Sequence, residues 1–157
     1  MKRPLLNKRR AARFAAVQAL YQIELNHAEP AEVVREFSEH RLSKLLEPLG
    51  QEPSPEVDRG MFQRVVMGTT EAIAELDPLI AARLSEGWSL ARCGFMLRAC
   101  LRAAAFELAR CTDIPVGVVI NEYVDLAKLF LPGNEASLVN AVLDGIASEL
   151  RPKEGAA

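Results

Sequence analysis

The sequence lacks the motifs that most often signal catalysis. It has no phosphate-binding glycine loop, no nucleophile elbow and no dinucleotide-binding fingerprint. Its three cysteines and two histidines do not fall at the close spacings that chelate a metal. An odd cysteine count without close pairing also argues against a disulfide framework and favours a reducing compartment. We therefore predict a protein that is not an enzyme and that carries no cofactor or metal.

Long apolar runs are also missing. No run approaches the roughly 20 residues that a membrane-spanning helix needs. The N-terminus is basic but has no apolar segment or small-residue cleavage site, so it does not read as a secretory signal. Half of the residues are hydrophobic and a quarter are charged, which is ordinary for a soluble globular protein. These features predict a cytoplasmic protein with no membrane contact.

Apolar residues recur at helical spacing along the whole chain, and no stretch shows the alternation of a strand. The pattern is clearest over Ile114–Phe130 and Glu135–Leu150, which are separated by the breaker Leu131–Asn134. Two amphipathic helices joined by so short a loop are expected to pack on each other or on a third helix. The sequence therefore predicts an all-α fold.

The rest of the chain also divides into helical segments. We expect a single domain over residues 1–157, with an N-terminal half at about 8–76 and a C-terminal half at about 77–151. The earlier helices are expected at about Lys8–Asn26, Ala31–Leu49, Glu56–Leu76, Asp77–Ser85 (started by Asp77 and Pro78) and Ser89–Cys111 (bent at Gly94).

One helical stripe carries the polar and thiol groups of the predicted core. Cys93, Cys100 and Cys111 lie on one side of a helix and are expected to act as small buried hydrophobes. Glu107 lies at the edge of that stripe, so it needs an ion pair or a hydrogen bond from a neighbouring helix.

Positive charge is concentrated at the start of the chain. Residues 1–13 hold six basic residues and no acidic one, so the other 144 residues carry −8. Arg9 and Arg13 lie at one edge of the apolar stripe of the first helix, and Arg10 lies along it. Because a buried guanidinium must be paired, we expect the first turn to extend past the core and present all three arginines. A helix N-terminus attracts anions as well, so this turn is a predicted polyanion site.

Several short segments together resemble one known family, that of the bacterial antitermination factor NusB. They are Arg9–Arg13, Ala16–Tyr21, Leu101–Arg102, Phe106–Leu108, Asp113–Val116, Ile120–Glu122, Leu126–Lys128 and Val139–Asp144. The resemblance implies about seven helices in two packed three-helix bundles and no catalytic activity. It also implies binding of boxA-type single-stranded RNA with NusE, a small-subunit ribosomal protein. Through that complex it implies an indirect link to RNA polymerase and other Nus factors on ribosomal RNA operons.

The resemblance and the charge pattern together supply the expected site residues. Those expected to bind RNA are Lys8, Arg9, Arg10, Arg13, Arg98, Arg102, Asn134 and Ser137, and those expected to face the partner are Tyr21 and Glu24. Arg98 and Arg102 share the outer face of their helix, where they either extend the basic surface or only solvate that face. The loop Gly133–Leu138 lacks the basic residue and the aromatic residue that many relatives carry there.

Other functions stay open at this point. The chain can be a protein-interaction module whose basic start does not bind RNA, and exposed helix faces can support a homodimer. A NusB-like domain also occurs fused to a ribosomal RNA methyltransferase, but this sequence has no glycine-rich cofactor loop.

Overall fold

A computed structural model describes residues 7–45 and 56–155, and within these ranges the chain is helical with no strand. The all-α prediction is confirmed. The α-helices are α1 Lys8–Asn26, α2 Pro30–Glu36, α3 Arg59–Glu71, α4 Ile73–Ala81, α5 Gly94–Arg110, α6 Val116–Phe130, α7 Glu135–Leu150 and α8 Pro152–Gly155. No helix in the described ranges has the length and hydropathy to cross a membrane.

The chain forms two compact units that divide between Met67 and Gly68, within α3. This division falls earlier than the expected boundary near residue 76. That the two units act as one domain stays a prediction.

In the first unit, α1 is buried on nearly every side along its middle. Asn7 caps its start with Oδ1, and His27 ends it in the left-handed conformation at φ 53°. The large apolar residues Phe14, Val17 and Leu20 are buried. The sequence pattern did not predict that five alanines would also be fully buried: Ala11, Ala12, Ala15, Ala16 and Ala19.

The burial of these alanines overturns one prediction. Arg13 is only 1% exposed, so α1 does not present it beside Arg9 and Arg10. The helix has no exposed edge at this level, because Ala11, Ala12, Ala15 and Ala16 are fully buried around Arg13, and small alanine side chains permit such close packing. Arg13 interacts with other groups, as a buried guanidinium must.

The second predicted helix, Ala31–Leu49, is shorter and irregular. Regular α-helix ends at Glu36, a π-helical turn follows over Phe37–Arg41, and a 3₁₀ turn covers Leu42–Lys44. Phe37 stacks on Phe62 with ring centroids 5.7 Å apart, and the guanidinium of Arg41 lies 4.3 Å from the centroid of the Phe37 ring. These contacts accompany the change of helical geometry. Residues 46–49 lie outside the described ranges, as does the predicted loop at 50–55.

The second unit is built on α5, α6 and α7, which pack on one another as predicted for the C-terminal pair. Their buried residues include Leu101, Ile120, Leu126, Val142 and Leu143. The helix α4 packs against both α5 and α7. The predicted bend at Gly94 is confirmed, because a 3₁₀ turn over Leu90–Cys93 ends there and Gly94 has φ 76°.

The predicted start of a helix at Asp77 is wrong. The chain breaks at Ala72 instead, and Pro78 lies inside α4. Asp77 does not cap a helix, because it is the fifth residue of α4, and its carboxylate accepts two hydrogen bonds from Arg102 on α5, each 2.8 Å long. That long-range pair outweighs the local capping preference.

The predicted partner for Glu107 is present. Glu107 is fully buried and accepts a hydrogen bond from the hydroxyl of Tyr123 on α6. The predicted burial of Cys93, Cys100 and Cys111 is confirmed. Arg151, also buried, donates to four backbone carbonyls, those of Glu107, Leu108, Cys111 and Ile114. One side chain therefore donates to carbonyl groups at the end of α5 and in the segment that follows it, and two of these carbonyls, those of Glu107 and Cys111, also accept a backbone N–H.

Candidate nucleic-acid interface

The first turn of α1 carries three consecutive basic residues. Lys8 and Arg9 are exposed, and Arg10 is half-buried. The backbone N–H of Arg10 donates to Oδ1 of Asn7 over 2.8 Å, so the chain itself occupies one of the N–H groups that the sequence left for an anion. The electrostatic part of the prediction therefore depends on the side-chain charges of Lys8, Arg9 and Arg10 more than on backbone donors.

Asp58 lies beside this turn and was not predicted. Its backbone N–H donates to the carbonyl of Lys8 over 3.1 Å, and its Oδ2 lies 4.0 Å from Nε of Arg9. Its Oδ1 accepts the N–H of Met61 over 3.0 Å, which is the capping pattern for α3. Asp58 thus fixes the first turn of α1 against the start of α3 and lowers the positive potential there.

A groove of about 420 Å³ opens next to Lys8. Leu42 and Val57 supply its apolar lining, while Lys8, Arg59, Glu56 and Asp58 supply charges of both signs. A groove with apolar walls and mixed charges can hold a planar ring beside a charged group.

Arg98 and Arg102 differ in their surroundings, although the sequence placed them on one face of a helix. Arg98 is partly exposed and donates to the carbonyls of Leu90 and Ala91 at 2.9 and 3.3 Å. The side chain of Arg102 is only 14% exposed and is paired with Asp77. The sequence left open whether these two arginines extend the basic surface or only solvate their helix face. Arg98 belongs to the surface, whereas Arg102 neither solvates the face nor adds an exposed charge.

Asn134 and Ser137 are both exposed at the start of α7. The carbonyl of Asn134 accepts the N–H groups of Ser137 and Leu138, and the Asn134 side chain makes no capping hydrogen bond. Glu135 lies between them in the sequence. Its charge and that of Arg98 both influence the pKa of the buried Cys93 thiol. Burial raises the pKa of that thiol, the positive charge of Arg98 lowers it, and the negative charge of Glu135 raises it.

The expected partner residues, Tyr21 and Glu24, lie three positions apart on α1 and are both half-buried. Leu25, next to them, is exposed. This end of α1 therefore combines a ring, a carboxylate and an exposed apolar side chain, a combination that suits a protein contact.

Two residues at this interface were missed, and the sequence held a signal for each. Asn7 directly precedes the basic helix, and Asp58 lies three residues before Met61 in the first apolar turn of α3. Asparagine and aspartate are preferred capping residues, so capping preference identifies both. No local signal indicates that Asp58 approaches Arg9. In the described ranges, no group of three or more histidine, cysteine or acidic side chains is placed to hold a metal.

The fold is that of solved NusB proteins. The structure of NusB from T. maritima matches with a TM-score of 0.70 at 34% identity, covering 99% of this chain and 98% of that one. The solution structure of NusB from Aquifex aeolicus matches with a TM-score of 0.69 at 28% identity. A crystal structure of NusB and NusE in complex with double-stranded RNA shares the fold, at 24% identity and a TM-score of 0.69.

The chain belongs to the NusB family, whose model matches residues 10–148. The transcription antitermination protein NusB of Rhodopseudomonas palustris is 46% identical over 148 residues, which cover 94% of this chain and 86% of that protein. The corresponding protein of Bartonella tribocorum is 45% identical over 145 residues, covering 92% and 91%. The predicted function of a transcription antitermination factor is confirmed.

Proposed function

We propose that this antitermination factor binds single-stranded, boxA-type RNA through the first turn of α1, together with NusE. The observation that carries the proposal is the run of Lys8, Arg9 and Arg10 at the start of a long helix, just before the buried segment that begins at Ala11. Three adjacent cations on one turn form a compact positive surface for a phosphate backbone.

The expected RNA residues fall into groups with different roles in this proposal. Lys8, Arg9 and Arg10 contact phosphates directly. Arg13 is buried and acts through packing, by holding the first turn of α1 in place. Asn134 and Ser137, exposed at the start of α7, are offered as polar contacts to sugar or base edges.

The RNA residues on α5 also divide by role. Arg98 is the partly exposed cation, and Arg102 positions α5 through Asp77 without touching RNA. The RNA contact proposed for Arg102 from the sequence is replaced by this indirect role, because most of its side chain is covered.

The partner surface is proposed at the other end of α1, around Tyr21 and Glu24. NusE is named because a NusB of the same fold is bound to NusE in a solved complex with double-stranded RNA. In this proposal the chain associates with RNA polymerase and other Nus factors only indirectly, through its complex with NusE and RNA. We propose that the chain acts by binding alone and catalyses no reaction.

Fluorescence anisotropy of a labelled boxA-like RNA tests the proposal, with the protein titrated in the presence and absence of NusE. The Arg9→Ala/Arg10→Ala variant is expected to lose roughly ten-fold or more in affinity, since two phosphate contacts disappear. Arg35→Ala is the matched control: it removes an exposed arginine of the same unit that pairs with Glu32. Its affinity should stay within two-fold of the wild-type value.

A different pattern would favour the protein-interaction module. If RNA fails to bind with or without NusE, while NusE is still captured by the wild-type chain, the proposed RNA site is wrong. If capture of NusE is also unchanged in a Tyr21→Ala/Glu24→Ala variant, the proposed partner surface is wrong as well.

A further inference from the structure

Two large aromatic side chains are exposed near the start of α5. Trp88 is 41% exposed in the turn before the 3₁₀ segment, and Phe95 is 38% exposed in the first turn of α5. Trp88 is also the only tryptophan of the chain. Rings of this size are usually buried, because each removes a large apolar area from water. Two exposed rings only seven residues apart therefore need an explanation.

Arginines hold this region in shape. The guanidinium of Arg98 lies 5.0 Å from the centroid of the Phe95 ring, within the range of a cation–π contact. The hydrogen bonds from Arg98 to the carbonyls of Leu90 and Ala91 fix that guanidinium, and Arg92 donates to the carbonyl of Gly87, beside Trp88. The rings are thus presented on a braced turn, which reduces the conformational entropy that binding would cost.

We propose that Trp88, Phe95 and Arg98 form a stacking platform for the bases of single-stranded RNA. Unpaired bases stack on aromatic rings and on arginine planes, and every base offers such a face. The platform belongs to the second unit, whereas the phosphate contacts proposed above belong to the first. This inference rests on the proposed RNA binding and adds to it a second, base-dependent contact.

The local charge favours RNA over a protein partner. From Gly87 to Arg98 the chain holds two arginines and no acidic residue. Glu86 directly precedes this segment in the sequence. Glu135 is a more distant acidic residue whose charge raises the pKa of the Cys93 thiol within the segment. A segment that is cationic and aromatic matches a ligand with phosphates and flat rings. Aromatic residues and arginine also occur at protein interfaces, so a protein ligand is the rival outcome of the test.

The fluorescence of Trp88 tests the platform directly in the unmodified chain. We would titrate the chain with a boxA-like RNA and with the same RNA carrying abasic sites, and follow binding by anisotropy in parallel. The abasic RNA keeps its phosphates and loses its stacking faces. Quenching of Trp88 by the intact RNA at saturation, and none by the abasic RNA, supports the proposal.

Two other results would overturn it. Anisotropy that shows binding without a change in Trp88 emission leaves the RNA function standing and removes the platform. Emission that changes on addition of NusE alone, and not with RNA, assigns the surface to a protein partner. If anisotropy shows no binding in any condition, the proposed RNA function itself has failed.

A variant pair makes the assignment residue by residue. Phe95→Ala is expected to weaken binding of the intact RNA roughly ten-fold and to leave binding of the abasic RNA unchanged. Leu129→Ala is the matched control, because Leu129 is an exposed apolar residue on α6. Equal losses for both RNAs in Phe95→Ala, or an equal loss in Leu129→Ala, would contradict base stacking at this position.

Discussion

The hydroxyl of Tyr123 donates a hydrogen bond to Oε2 of Glu107, and both residues are fully buried. The bond joins α6 to α5 inside the three-helix core of the second unit. A buried carboxylate needs donors to compensate for the water that it has lost. This pair is therefore a structural element of the fold, and neither residue is among the proposed RNA contacts.

Replacing Tyr123 with phenylalanine should destabilise the chain. The change keeps the ring and removes only the hydroxyl donor, so the loss should be about 1–3 kcal/mol in the free energy of unfolding. Urea denaturation measures it. The double variant Tyr123→Phe/Glu107→Gln should recover part of the loss, since the charge is then absent. Equal stability of Tyr123→Phe and wild type would show that the bond contributes nothing.

Arg102 should matter for stability and not for RNA affinity. Arg102→Met leaves the half-buried Asp77 carboxylate without its bidentate donor, and we expect a loss of about 1–3 kcal/mol. Arg110→Met is the matched change on the same helix, because Arg110 pairs with Glu75 and both side chains are about half exposed. It should cost less than about 1 kcal/mol. A drop in RNA affinity for Arg102→Met at full folding would restore its direct RNA role.

Gly68 is required by close packing. A Cβ at this position would lie 2.3 Å from Cζ of Phe106, so Gly68→Ala should destabilise by about 1–3 kcal/mol through overpacking. Gly117→Ala places the same methyl group on α6 with no atom within 4 Å. That variant should be neutral or more stable by up to about 1 kcal/mol, since alanine is the better helix former. Thermal melts of the two variants would separate packing from helix propensity.

Cys100 should make the chain less stable at alkaline pH. Burial raises the pKa of its thiol to about 12 from an ordinary value of 9.0. Above pH 9 the thiol of the unfolded chain loses its proton while the folded one keeps it, so deprotonation lowers the free energy of the unfolded state relative to the folded state. Stability should fall by up to about 1.4 kcal/mol per pH unit between pH 9 and 12.

Comparison with Cys100→Ala isolates this effect, because the other titrating groups are common to both chains. The difference in free energy of unfolding between the two should change only above pH 9, in favour of the variant. A difference that stays constant to pH 11 would mean that the thiol is not protected in the folded state.

Hydrophobic periodicity predicted the C-terminal half well. The helices α6 and α7 and the bend at Gly94 follow from local signals, namely apolar spacing and glycine. The need of Glu107 for a partner followed from its position beside an apolar stripe. Tyr123 as that partner did not, because the pairing joins residues of different helices.

The misses have the same physical origin. Arg13 lies at the edge of an apolar stripe by periodicity, but it is buried together with the neighbouring alanines of α1. Asp77 has the local sequence pattern of a helix cap, but its carboxylate pairs with Arg102, which is distant in the sequence. Contacts between side chains that are distant in the sequence decide such cases, and a single sequence does not show which residues make those contacts.

The salt dependence of RNA binding tests the central claim most directly. The three proposed phosphate contacts, with Arg98 as a fourth cation, give a log–log slope of about −2 to −3 for a single-stranded RNA. The Arg9→Gln/Arg10→Gln variant should reduce that slope by about one to one and a half, since two contacts are removed. Asp58→Asn keeps an acceptor for Met61 and removes a repelling charge beside Arg9, so it should tighten binding at low salt. A wild-type slope near zero, or a slope unchanged in the glutamine variant, would contradict RNA binding at the start of α1.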